Sequence, residues 1–145
     1  MQVDINKYLG RWYEIAKNPK QFEFNLTNVT ADYSLNSDGT INIVNSGYSF
    51  DDKVSITGIA KQTDVQNLLK VSFFSDIESD YKILYVDQFY NYAVIGGEDE
   101  NSLWILSRFP CINYIVLDLL IDIAISKGYN TKNLILTDQE SNVIL

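Results

Sequence analysis

Short runs in which apolar and polar side chains alternate, each ended by turn residues, fill the chain as far as Arg108. Val29, Ala31, Tyr33 and Leu35 interleave with Thr30, Asp32, Ser34 and Asn36, the period-two pattern of a strand with one face in a core. Ser37-Asp38-Gly39 then turns the chain, with glycine accepting the positive φ of a tight hairpin. The same pattern predicts strands over residues 11–17, 29–36, 40–50, 53–62, 68–75, 81–86, 91–97 and 102–108. Connections such as Glu98-Asp99-Glu100-Asn101 are short and polar, as expected where sequence neighbours pair in space. The predicted fold is all-β, an eight-stranded antiparallel up-and-down β-barrel with one C-terminal α-helix and a short final strand. Closure of such a barrel removes exposed edges and leaves an interior wide enough for one small ligand.

The period changes after Pro110. Residues 112–127 read as the helix, with Asn113 as N-cap and Gly128 as the stop, and residues 133–138 as the final strand. Asp118, Asp122 and Ser126 are its interior polar positions and fall on one narrow stripe. Val116, Leu119, Leu120 and Ile123 form the face expected to lie on the barrel. Tyr114, Leu117, Ile121 and Ile125 are left as a second apolar stripe. That surplus points to a homodimer or membrane-surface contact through Leu117, Ile121 and Ile125, the competing reading being a helix seated deep under the final strand.

Two further segments stand apart. The connection after Lys17 contains Asn18-Pro19-Lys20-Gln21-Phe22-Glu23-Phe24, and Phe22 and Phe24 are costly to leave in water. They are candidate lid residues over the barrel mouth, or else pack on its rim. Near the start, Gly10-Arg11-Trp12 opens the first strand, and Arg108 ends the eighth. A guanidinium lying flat on an indole gains about 0.5–2 kcal/mol. Trp12 and Arg108 are therefore expected to plug one end of the barrel.

Composition narrows the function more than the fold. The 145 residues, 46% of them hydrophobic, suffice for a single domain over residues 1–145. A formal charge of −8 argues against nucleic-acid binding, since a phosphate backbone would be repelled. Cys111 is the only cysteine, so no intrachain disulfide forms. The chain has no histidine, which excludes Ser-His and Cys-His nucleophiles and histidine metal sites. Asp51-Asp52 and Glu78-Ser79-Asp80 read as solvated loop charge, Glu14 as a carboxylate hydrogen-bonded to tyrosine hydroxyls, and Cys111 as a structural thiol away from the interior. No catalytic residue, cofactor or metal is expected.

Gly10 and Trp12, then Asp87 and Tyr90 within Tyr85-Val86-Asp87-Gln88-Phe89-Tyr90-Asn91-Tyr92-Ala93-Val94, then Arg108, follow one another in an order that resembles the lipocalin family. The resemblance extends to its bacterial outer-membrane members and to apolipoprotein D, and it covers nearly the whole chain. It implies a structural plug of Gly10, Trp12, Asp87, Tyr90 and Arg108. It also places Tyr33, Asn45, Phe73, Tyr81 and Trp104 at pocket positions, and strand alternation adds Tyr85. An acidic pocket residue of apolipoprotein D falls on Gly47, so a preference for steroids is not carried over. The implied function is non-catalytic binding and transport or storage of a fatty acid or lysophospholipid. The alternatives are a lipid-modifying enzyme of the same fold and a protein-interaction module using the helix. Intracellular fatty-acid-binding proteins insert two helices after their first strand, a pattern this chain lacks. The resemblance implies the periplasmic side of a bacterial outer membrane. Met1-Gln2-Val3-Asp4-Ile5 shows neither a basic, apolar export leader nor a lipid-attachment cysteine, which leaves a cytoplasmic location as the alternative.

Overall fold

The computed structural model describes residues 2–19, 26–73 and 76–139. The elements run α1 (Ile5–Tyr8), β1 (Gly10–Lys17), β2 (Thr27–Leu35), β3 (Ile41–Ser49), β4 (Asp52–Gln62) and β5 (Leu68–Ser72). They continue through β6 (Ser79–Val86), β7 (Tyr92–Gly96), β8 (Leu103–Ser107), α2 (Tyr114–Ser126) and β9 (Ile135–Leu136). From β1 to β8 each strand pairs antiparallel with the next, and β8 returns to β1. The ring is closed, an eight-stranded antiparallel up-and-down barrel with one helix after it and one extra strand.

β1 closes the ring by dividing its length. Its first half, Gly10 to Tyr13, pairs with β2, while Ala16 and Lys17 pair with β9. A bulge between Glu14 and Ala16 lies where the strand changes partners. Trp12 and Glu14 therefore face inward, whereas Ile15 and Ala16 face out toward α2.

The turns at residues 36–40, 63–67 and 87–91 lie at one end of the barrel, with α1 and the exit of β8. Residues 18–19, 26, 50–51, 76–78 and 97–102 lie at the other end. α1 is the element that strand alternation does not predict. It is four residues long, and the Asp4 side chain accepts from the Asn6 N–H as its N-cap.

Apolar side chains divide into two clusters. The inner one, with Trp12, Ile41, Ile43, Ile83, Ile95 and Leu106, lies inside the barrel. The outer one lies between the barrel wall and α2, joining Ile15, Val94, Leu103 and Ile105 to Leu117, Leu120 and Ala124.

That outer cluster corrects two expectations. Leu117 is buried and Ile121 is packed against the same cluster, so neither belongs to a free stripe. Leu119, expected against the barrel, is instead 58% exposed, along with Tyr114, Ile115 and Ile125. The helix is rotated from the expected pose because α2 is apolar at most positions, and the small Ala124 selects the face of closest approach. Tyr85 is the second correction. A bulge between Ile83 and Tyr85 turns its ring out of the barrel into the cluster under α2.

Candidate ligand-binding cavity

The open half of the barrel encloses a cavity of about 530 Å³. Tyr33 of β2, Asn45 of β3, Tyr81 of β6, Trp104 of β8 and Phe73 just after β5 all line it. Ala31, Ile43, Val71, Ile95 and Leu106 complete an apolar wall between them. Sequence alternation would have reached these aliphatic residues, since each shares a strand face with an inward-pointing neighbour. Tyr85 does not line the cavity, and Phe22 and Phe24 lie outside the described residues.

Phe73 owes its place to a glycine. A Cβ on Gly58 would come within 2.5 Å of the Phe73 ring, so β4 must be bare at that point for the ring to lie against it. The sequence signal was there, a glycine inside an otherwise continuous strand, and its partner follows the neighbouring strand β5, where the register Ile59↔Ser72 brings Phe73 opposite Gly58.

The floor is made of phenols. The Tyr81 hydroxyl hydrogen-bonds to those of Tyr8, at 2.5 Å, and Tyr33, at 2.8 Å. Burial pushes Tyr33 up to about 12, although hydrogen bonds from Tyr81 and Tyr8 pull the other way. Tyr8 and Tyr81 are likewise raised well above the ordinary phenol value, chiefly by burial. All three are neutral at physiological pH and offer hydrogen bonds without charge. Tyr8 arrives from α1, which is why sequence reasoning did not include it.

Beneath the phenols, Trp12 has no exposed surface, and the Arg108 guanidinium carbon sits 3.9 Å from its ring centroid. Arg108 donates from Nε to the Tyr90 carbonyl, from Nη1 to Arg11, and from Nη2 to the Lys7 and Tyr8 carbonyls. The last two are carbonyls at the end of α1, which the helix itself cannot satisfy. Trp12 Nε1 also donates to the Tyr8 carbonyl. Gly10 has φ +100°, a conformation that calls for glycine, and a Cβ there would press on Arg108 Nη1 at 3.3 Å. Asp87 accepts from the N–H groups of Phe89, Asn91 and Tyr92, which shapes the turn that aims the Tyr90 carbonyl. The Tyr90 hydroxyl accepts from the Asp4 N–H at the start of α1. The structure thus brings Gly10, Trp12, Asp87, Tyr90 and Arg108 into one network at the closed end.

The mouth is polar and mostly acidic. Glu14, Asp80, Glu98 and Asp99 reach the cavity, as does the buried Lys17. Lys70 forms an ion pair with Asp80. Glu14 accepts from Thr137 Oγ1 at 2.6 Å, and Gln139 Nε2 donates to the Glu14 and Val29 carbonyls. These contacts fasten the segment after β9 along the mouth. Cys111 is exposed and lies past the exit of β8, at the closed end.

A closed barrel, sealed at one end by packing and holding an aromatic-walled cavity at the other, is a calyx. The chain belongs to the lipocalin family: the model for the lipocalin-like domain matches residues 3–139. It is 39% identical over 140 residues to the outer membrane lipoprotein Blc of Citrobacter freundii, covering 94% of this chain and 79% of that protein. It is 35% identical over 147 residues to apolipoprotein D of Mus musculus, covering 94% and 77%. Among solved structures it is similar to lobster apocrustacyanin A1, with a TM-score of 0.77 at 20% identity, covering 94% of this chain and 80% of that one. Insecticyanin from the tobacco hornworm Manduca sexta gives 0.75 at 22% identity, covering 94% and 81%.

Proposed function

We propose that this protein is a non-catalytic carrier of a single-chain amphiphile, a fatty acid or lysophospholipid, at the periplasmic face of a bacterial outer membrane. The observation that carries this reading is the cavity: about 530 Å³, open at one end, walled by Tyr33, Phe73, Tyr81 and Trp104. Its volume falls in the range of about 300–1,000 Å³ usual for one small ligand. The acyl chain enters from the mouth and lies against the aromatic wall. Burying about fourteen methylenes at ~0.8 kcal/mol each gives a gross gain of roughly 11 kcal/mol, from which ordering and association costs are subtracted. Micromolar affinity is the expected result.

The polar head stays at the mouth. Asn45 and the neutral phenols of the floor supply hydrogen bonds but no cation that would hold a deep carboxylate. The location is supported by relatives named outer membrane lipoproteins. The chain has no histidine to activate a serine of the cavity, and the Ser102 hydroxyl, which donates to Asp99, stands in the exposed polar mouth rather than against the aromatic wall; this favours carriage over lipid modification.

Native mass spectrometry followed by titration with a fatty acid and a lysophospholipid tests the reading. Saturable quenching of tryptophan fluorescence is expected, and it should be lost in Trp104→Phe, because Trp12 is shut away beneath the floor. A protein that ignores both ligand classes overturns it.

A further inference from the structure

The lip of the cavity carries large apolar side chains held out in water. Phe50, at the tip of the β3–β4 hairpin, is 97% exposed, and Ile77, in the β5–β6 connection, is 76% exposed. Neither belongs to the barrel interior or to the cluster under α2. Phe50 also has φ +56°, a left-handed conformation uncommon for a bulky residue, at the point where the hairpin projects farthest. Val54 lines the cavity and is still 46% exposed, so apolar surface runs from the interior out along the hairpin.

The charge around these anchors selects what they can enter. Asp51 and Asp52 follow Phe50, Asp76 and Glu78 flank Ile77, and Asp80, Glu98 and Asp99 stand at the mouth. Glu78 and Asp80 pair with Lys61 and Lys70, which leaves Asp51, Asp52, Asp76, Glu98 and Asp99 against Lys53, so the lip stays net acidic. An acidic lip is repelled by an anionic surface and tolerated by a zwitterionic one. Phe50 and Ile77 stand on separate loop tips, each flanked by carboxylates. Each can enter the headgroup and acyl boundary on its own.

We propose that the open end of the barrel docks on a zwitterionic lipid bilayer through Phe50 and Ile77, placing the mouth against the phase its ligand comes from. The proposal rests on the lipid-carrier reading above. Docking lets an amphiphile pass between bilayer and cavity without crossing bulk water.

Sedimentation with phosphatidylcholine vesicles, and with vesicles of phosphatidylcholine containing a quarter phosphatidylglycerol, tests this on the whole chain. The unaltered protein is expected to partition onto the first and less onto the second at low salt. Phe50→Ser with Ile77→Ser should weaken partitioning about tenfold or more while leaving fatty-acid quenching in solution unchanged. Both positions are exposed, so the pair leaves the core intact. Ile115→Ser with Leu119→Ser, on the exposed side of α2, serves as the control and should partition normally. Equal partitioning of the rim variant, no partitioning of the unaltered protein, or loss confined to the α2 variant each overturns the docking proposal. Ligand quenching that persists in those cases leaves the carrier reading standing; its absence from the unaltered protein would remove both.

Discussion

At the scale of the residue, Arg108 works by shape as much as by charge. Its planar fork meets four carbonyls from three segments while its face covers the Trp12 indole. A lysine keeps the charge but neither the fork nor the stacking. Trp12→Ala is expected to lower stability by about 3–5 kcal/mol, as large core deletions do, and Arg108→Lys by about 1–2 kcal/mol. A urea denaturation series compares the two, and a neutral Trp12→Ala would show that the indole does not seal the barrel. Both residues were legible in the sequence because each stands at a strand terminus with a chemistry that selects its partner. Tyr8 was not, since its hydroxyl reaches Tyr81 only because α1 folds across the closed end. A four-residue helix leaves too short a pattern to read, with one N-capping aspartate as its signal.

At the scale of the element, strands could be read more securely than the helix or the register. Every predicted strand is present within a few residues, because alternation and turn chemistry such as Asp38-Gly39 agree with each other. Bulges carry no comparable signal. The one between Ile83 and Tyr85 is a single extra residue, and it moves Tyr85 from the ligand wall to the underside of α2. In α2 the difficulty is different: with apolar residues almost all round, periodicity leaves the orientation of the helix open, and barrel shape settles it. Asn113 as N-cap and Gly128 with φ +89° were readable because caps depend on local geometry alone. The corrected orientation separates two leucines two positions apart. Leu117→Ala should cost about 2–4 kcal/mol in chemical denaturation, and Leu119→Ala within about 0.5 kcal/mol of nothing. Equal costs would mean that α2 sits on its other face.

At the scale of the whole molecule, the formal charge of −8 and the acids at the mouth act on the ligand before it arrives. A fatty-acid anion approaches against this field, while the zwitterionic head of a lysophosphatidylcholine does not. Raising salt from about 0.01 M to about 0.15 M shortens the screening length from about 30 Å to about 8 Å. Affinity for the fatty acid should then rise about two- to fivefold, with little change for the lysophospholipid; fluorescence titration at the two salts measures both. A fatty-acid affinity that falls with salt would place an unbalanced cation in the site.

The network under the floor has one more consequence, for timing. Because Trp12, Arg108 and α1 shut the far end, the described barrel opens at its mouth, and two occupants cannot pass each other inside it. Turnover of cargo must then proceed by departure first and arrival second. The residence time of one molecule, rather than the abundance of its competitor, sets the pace of exchange.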